Sequence, residues 1–373
     1  MKEEIKTRPV KDFRELVDWT VKNYPDNIAY RYKKDPHETD YQEKTFSQLY
    51  QDIRKLATQL IEMGLEQKRI AVIGNNRYEW CVTYLASIMG NMVIVPLDKL
   101  LPDVEIESLL KRSGAEAVVF EGKYLDCMEK IKQKSGSKLQ YLIAMDETKK
   151  EDVLDFQELL KKGEQLLEKG DTRYDNMQVD AKKMSIMLFT SGTTNIAKAV
   201  MLSQENICSD IEGMPRHVKL YPSDRLLSFL PLHHTFECTI TFLYALYSGA
   251  TVCFCDGLKY IQKNLKEYEI TVFVAVPLVL ETMYKKIQKA IEEQGKTKLI
   301  TTMAKISNVL LKCKIDLRKQ IFKPVLEQLV GKLRIVLYGA APMDKQTIVG
   351  YNNLGVELIQ GYGLTETSPV VSC

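Results

Sequence analysis

Short runs of Val, Ile, Leu and Phe recur along this chain, and no other feature restricts its fold as strongly. RIAVIG from Arg69, MVIVPLD from Met92, AEAVVF from Ala115 and QYLIAM from Gln140 each have the length and β-branched content of a strand buried on both faces. Between the first two, Trp80, Tyr84, Leu85 and Ile88 repeat at helical spacing. Between the next two, PDVEIESLLKRSG predicts a helix with Asp103 as N-cap and Gly114 as its stop. Strand and helix in alternation predict an α/β fold: largely parallel sheets covered by helices. The strand pattern returns in MSIMLFT, RLLSFLP, ATVCFC, TVFVAVP, LRIVLYG and VELIQGYG. Further helices are predicted from Leu278 to about Glu293 and over KIDLRKQIFKPVLEQLVG. The charged stretch from Asp146 to Asp180 reads as a solvated connection carrying one exposed helix.

A chain of 373 residues exceeds the usual single compact domain, so one large or two packed units are expected. Its 52 basic and 49 acidic residues leave a formal charge of +3, and nothing in that balance points to nucleic acid, whose footprint needs clustering as well as excess. Eight scattered cysteines lack zinc or thioredoxin spacing and read as buried, reduced thiols of a cytoplasmic protein. MKEEIKTRPVKDF has no apolar core of a signal peptide, and no apolar run approaches the length of a membrane span. A soluble protein is expected; no basic amphipathic helix demands a membrane, though loose contact stays open.

Ligands of parallel α/β sheets collect at the carboxyl ends of strands, so the segments after each strand carry the chemical argument. Four stand out: TSGTTNIAK after MSIMLF, PLHHTFE after RLLSFL, GAAPM after LRIVLY and GYGLTETSP after VELIQ. The first is either a polar surface turn or an anion cradle, with hydroxyls and backbone amides converging and Lys198 adding charge. It is not the spacing of a P-loop. Glu366 is either an exposed turn residue or a carboxylate set beside phosphates through Mg2+. Gly339, Ala340, Ala341 and Pro342 suit a tight turn or a planar ligand laid on their backbone, and Tyr362 offers a flat face. His233 and His234 suit a pocket wall better than a metal pair, and Glu237 is placed to pair with His234.

Together and in this order, FTSGTTNIAK, FLPLHHTFE, LYGAAPM and GYGLTETSP resemble the signature segments of the adenylate-forming acyl-CoA synthetases. NNRYEW and IVPLDKLLP add a resemblance to the long-chain fatty acid CoA ligase branch. The resemblance implies that a fatty or other carboxylic acid attacks the α-phosphorus of ATP, and that the acyl group then passes to the thiol of coenzyme A. It implies that Thr190, Ser191, Gly192, Thr193, Thr194 and Lys198 hold phosphates, and that Thr194 and Glu366 share Mg2+. Gly339, Ala340, Ala341, Gly361, Tyr362 and Gly363 flank the nucleotide, Thr365 contacts the α-phosphate and His234 lines the acyl and thiol passage. The expected layout is two packed subdomains, residues 62–215 with the phosphate loop and residues 1–61 plus 216–373 on the adenine and acyl side.

This chain departs from the family pattern at Asn195, Ala197 and Ala199, where Gly, Pro and a second Gly are usual, and at Gln204, where His is usual. Cys373 follows soon after GYGLTETSP, so the family's C-terminal domain, with its adenylation lysine, is expected to be absent. The expectation is a large N-terminal domain that binds ATP weakly and turns over poorly alone. The alternatives are a non-catalytic nucleotide- or acyl-binding regulator, or a ligase for another carboxylic acid.

Overall fold

The computed structural model describes residues 8–190 and 197–373. Its strands are β1 (Ile28–Tyr32), β2 (Gln42–Thr45), β3 (Arg69–Ile73), β4 (Val93–Pro96), β5 (Ala117–Phe120), β6 (Tyr141–Ala144), β7 (Leu154–Asp155), β8 (Met184–Thr190), β9 (Lys198–Ser203), β10 (Arg225–Ser228), β11 (Thr251–Phe254), β12 (Val272–Ala275), β13 (Ile335–Tyr338), β14 (Glu357–Gln360), β15 (Tyr362–Gly363) and β16 (Val370–Ser372). One seven-stranded sheet runs β7-β6-β5-β3-β4-β8-β9 and the other β14-β13-β12-β10-β11-β1-β2; β15 and β16 form a small hairpin. Each large sheet is parallel except at one edge, where β8 pairs antiparallel with β9 and β1 with β2. This is the α/β architecture, parallel sheets covered by helices, that the strand runs predict.

Both sheets share one core. Ile70, Val72 and Val119 of the first sheet join Leu226, Val252 and Leu337 of the second in a single buried cluster. The helix Phe46–Glu62 shows why the elements form. Thr45 and Gln48 close a reciprocal capping box at its start, and Leu49, Ile53, Leu56 and Leu60 line one buried stripe.

Strand order reverses at β3 in the first sheet, flanked by β5 and β4, and at β10 in the second, flanked by β12 and β11. These reversals are where a parallel sheet opens a crevice. The two crevices face each other, because Asn76, just past β3, hydrogen-bonds to Ser228 and Leu230 at the end of β10.

Several expectations change. The segment after Asp146 is not merely solvated: β7 extends the first sheet, and the helix Phe156–Glu168 buries Phe156, Leu159, Leu160 and Gly163. A methyl at Gly163 would lie 2.0 Å from the Lys55 carbonyl, so this helix packs backbone to backbone on Phe46–Glu62. Asp103 is the first helical residue and Pro102 the N-cap, with Gly114 closing the helix as expected. Strands β1 and β2 and the helix Thr297–Lys312 escape the sequence pattern. Five cysteines are buried, Cys255 is half-buried, and Cys313 and Cys373 are exposed. Among the described residues no helix is long and apolar enough to cross a membrane.

Candidate functional site

Three of the four strand-end segments meet. Tyr338 pairs with Gln360 across β13 and β14, and the Gly361 amide donates to the Tyr338 carbonyl at 2.8 Å. A methyl on Gly339 would lie 2.9 Å from the Gly361 carbonyl and 3.4 Å from the Phe236 ring. GAAPM, GYGLTE and PLHHTFE therefore converge where only glycine lets the backbones approach so closely. Ala340 stands at φ 69°, in the left-handed region. That conformation costs an alanine about 1 kcal/mol. Ala340, Ala341, Tyr362 and Gly363 are exposed at this junction.

The first segment reaches the same region from the other sheet. Thr190 ends β8 and pairs with Lys198, the first residue of β9, so Lys198 sits on a hairpin arm with its side chain exposed. The Arg112 guanidinium donates to the Ala197 carbonyl at 2.6 Å and anchors the start of that arm. The turn Thr365–Thr367, with Glu366 exposed, lies beside β9, the strand that Lys198 begins. Ser191, Gly192, Thr193 and Thr194, with Asn195, lie outside the described residues. Gln204 is spent on architecture: its side-chain oxygen accepts from the Phe13 amide at 3.0 Å.

The histidines occupy a different wall. Their rings lie 4.0 Å apart, and His233 Nε2 is 3.7 Å from a carboxylate oxygen of Asp98, just past β4. Burial, reinforced by His234, pushes His233 down to about 4 against the pull of Asp98. Burial lowers His234 as well. Two neutral imidazoles at neutral pH can accept protons without adding charge to the wall.

Glu237 does not pair with His234. Its carboxyl accepts hydrogen bonds from Ser228 Oγ at 2.7 Å and Thr241 Oγ1 at 2.9 Å. Complete burial raises its pKa to about 8, against the lowering effect of the bonds from Ser228, Thr241 and the Phe229 amide. Asn76 completes this chain of bonds. It donates to Ser228 Oγ at 2.8 Å and to the Leu230 carbonyl at 2.7 Å, and accepts from the Leu232 amide at 3.3 Å. The turn that carries the histidines is thus clamped from the opposite sheet, by a residue the sequence reading did not single out.

Two cavities open at these strand ends. One, of about 360 Å3, is largely apolar, lined by Met214, Phe236, Ile240, Tyr244, Leu337 and Ile359, with Gly361 at the glycine junction. Asp210 also lines it; its pKa is raised to about 6 by burial, and its carboxylate accepts from the Val370 amide. The second, of about 900 Å3, is mixed in lining and reaches the charged or polar Lys33, Asn76, Lys99, Glu121, Asp146 and Asp256 past the ends of strands of both sheets.

Such a fold and junction define an α/β protein that presents strand-end turns of two facing sheets to a ligand. Residues 17–373 match the AMP-binding enzyme family, and the chain belongs to it. It is 27% identical to Long chain acyl-CoA synthetase 4 of Arabidopsis thaliana, over 93% of this chain and 56% of that protein. It is 29% identical to Long-chain-fatty-acid--CoA ligase 6 of Homo sapiens, over 80% of this chain and 45% of that protein. The chain therefore spans about half the length of the curated relatives it matches. In fold it is similar to the N-terminal domain of FACL13 from Mycobacterium tuberculosis, with a TM-score of 0.71 at 20% identity, covering 96% of this chain and 77% of that one. It is also similar to the anthranilate CoA ligase AuaEII in complex with anthranoyl-AMP, with a TM-score of 0.74 at 16% identity, covering 96% of this chain and 61% of that one.

Proposed function

We propose that this chain carries the ATP and acyl sites of an AMP-forming ligase that activates a fatty acid as its adenylate and passes the acyl group to coenzyme A. The observation that carries this reading is the contact of Gly339 with Gly361 and Phe236, beside an apolar cavity of about 360 Å3. A planar base can lie on Gly339, Ala340, Ala341 and Tyr362, while a hydrocarbon chain enters the cavity past Phe236. Lys198 and Thr190, with Ser191, Gly192, Thr193 and Thr194, hold the phosphates, and Thr365 meets the α-phosphate. His234 lines the passage, and the groove past Asn76 and Lys99 gives coenzyme A its approach. Residues 62–215 form one subdomain and residues 1–61 with 216–373 the other, with the nucleotide between them.

Among the described residues no three of His, Cys, Asp or Glu form a ready-made metal cage. Mg2+ characteristically takes one or two carboxylates, keeps waters and relies on substrate phosphates. Glu366, one exposed carboxylate in the turn beside β9, fits that donor set. With Thr194 it would hold the ion, which supplies neutralising charge to the phosphates as the carboxylate approaches.

Fatty-acid-dependent exchange of pyrophosphate into ATP tests the reading, with ATP titrated to millimolar concentration. Weak but saturable ATP binding with slow acid-dependent exchange is expected. Absence of both would overturn it. A second reading, nucleotide or acyl binding without chemistry, is favoured by the exposed Ala199 on the phosphate-side strand, where the family pattern has glycine. It is distinguished by ATP binding without exchange.

A further inference from the structure

The helix Thr297–Lys312 packs through Ala304 and Ser307, and Asn308 donates to the Asn353 side chain at 2.8 Å. Its outward face is not polar. Leu299 is 57% exposed, Ile306 55% and Val309 61%, a stripe at helical spacing, and Ile315 and Leu317 extend it at 48% and 39%. A surface helix of a globular protein ordinarily points polar side chains outward. Lys298, Lys305 and Lys312 recur every seven residues and so form a row directly beside the stripe. From Gly295 to Ile315 the sequence also holds Lys296 and Lys314 and no acidic residue. The next carboxylate, Asp316, is engaged by Arg318 at 2.8 Å.

We infer that this face docks on an anionic lipid surface, with Leu299, Ile306 and Val309 entering the headgroup boundary and the lysine row resting on lipid phosphates. An apolar stripe bordered by lysines is the pattern of a helix that lies in the plane of a bilayer. The charge argument selects this occupant over a second copy of the chain, because two such faces would oppose lysine rows of the same sign. The sequence alone hid the helix, since its apolar residues lie on both faces; burial separates the packed ones from the exposed ones. The proposal rests on this surface and is independent of the reaction assigned above.

The test is co-sedimentation of the full chain with vesicles of phosphatidylcholine, alone or with about one quarter phosphatidylglycerol, at low salt and at about 0.5 M salt. Binding to the anionic vesicles, weakened by salt, is expected. Two variants at exposed positions, Ile306→Glu with Val309→Glu and Lys298→Glu with Lys305→Glu, should each retain the wild-type circular dichroism and lose roughly tenfold or more in vesicle affinity. Failure of the wild-type chain to bind, or binding by both variants as tight as that of the wild type, would overturn the inference. So would a concentration-dependent dimer in sedimentation velocity that the Ile306→Glu, Val309→Glu variant dissolves while vesicles capture nothing.

Discussion

Replacing Glu237 by glutamine should reverse the cost of burying an ionisable carboxyl at the junction of the two sheets. Glu237 is fully buried, with its pKa raised from 4.5 to about 8. The native state thus favours the protonated acid, and the stability this group contributes is complete below pH 4.5 and declines as pH rises toward 8. At about 1.4 kcal/mol per pKa unit, the wild-type chain loses about 3.5 kcal/mol between pH 5 and pH 8 from this residue alone. Glutamine preserves the shape and hydrogen-bonding capacity of the neutral acid, including toward Ser228 and Thr241, and cannot ionise. The two proteins should therefore be similarly stable at pH 5, and the variant should exceed wild type by about 3.5 kcal/mol at pH 8. With an unfolding entropy of about 2 cal/mol/K per residue, that gap corresponds to a melting difference of about 5 °C. Thermal or urea denaturation of both proteins across the range reads the gap directly, since every other titrating group cancels in the comparison. Parallel stability profiles would refute the reasoning and show that Glu237 ionises freely in the fold.

Asn76→Ala removes three hydrogen bonds that clamp the histidine turn, and about 2 kcal/mol of stability should go with them in urea denaturation. In the same variant the imidazole NMR signals of His233 and His234 should move while those of His37 and His217 stay. Gly163→Ala forces a methyl against the Lys55 carbonyl and should cost about 3 kcal/mol in thermal denaturation. Glu164→Ala next to it, which removes only a surface ion pair with Lys55, should change stability by less than about 1 kcal/mol. Lys198→Ala should weaken ATP binding roughly tenfold or more in calorimetric titration, with unchanged melting, because among the described residues its exposed ammonium makes no hydrogen bond or ion pair.

The buried strands were legible because runs such as RIAVIG and AEAVVF have few alternatives to a central position in a parallel sheet. The glycine junction was legible only as an ordered set of strand endings. No spacing in the chain shows that Gly339 touches Gly361 and Phe236, since that contact depends on which strands become neighbours. Asn76 was illegible for the same reason: its partner Leu232 lies 156 residues away. Asp98 likewise gains meaning only when β4 ends opposite the histidine turn. β2 was missed because QEKT is polar, as an edge strand in contact with solvent can be. The helix Phe156–Glu168 looked exposed because its closest contact is made by Gly163, which has no side chain to reveal it.

The second sheet has an unusual history of assembly. β1 pairs with β11, Tyr30 opposite Val252 and Arg31 opposite Cys253, although the whole of the first sheet lies between them in the chain. At about 5 to 20 residues per second of synthesis, Tyr30 precedes its partner by roughly 10 to 45 s. During that interval the first sheet can close, while β1 and β2 have no strand of their own sheet to join but each other. A strand made early is therefore a late arrival in the native sheet. A chaperone that shields its unpaired edge would act on residues 28–45 long before the sheet they complete has been made.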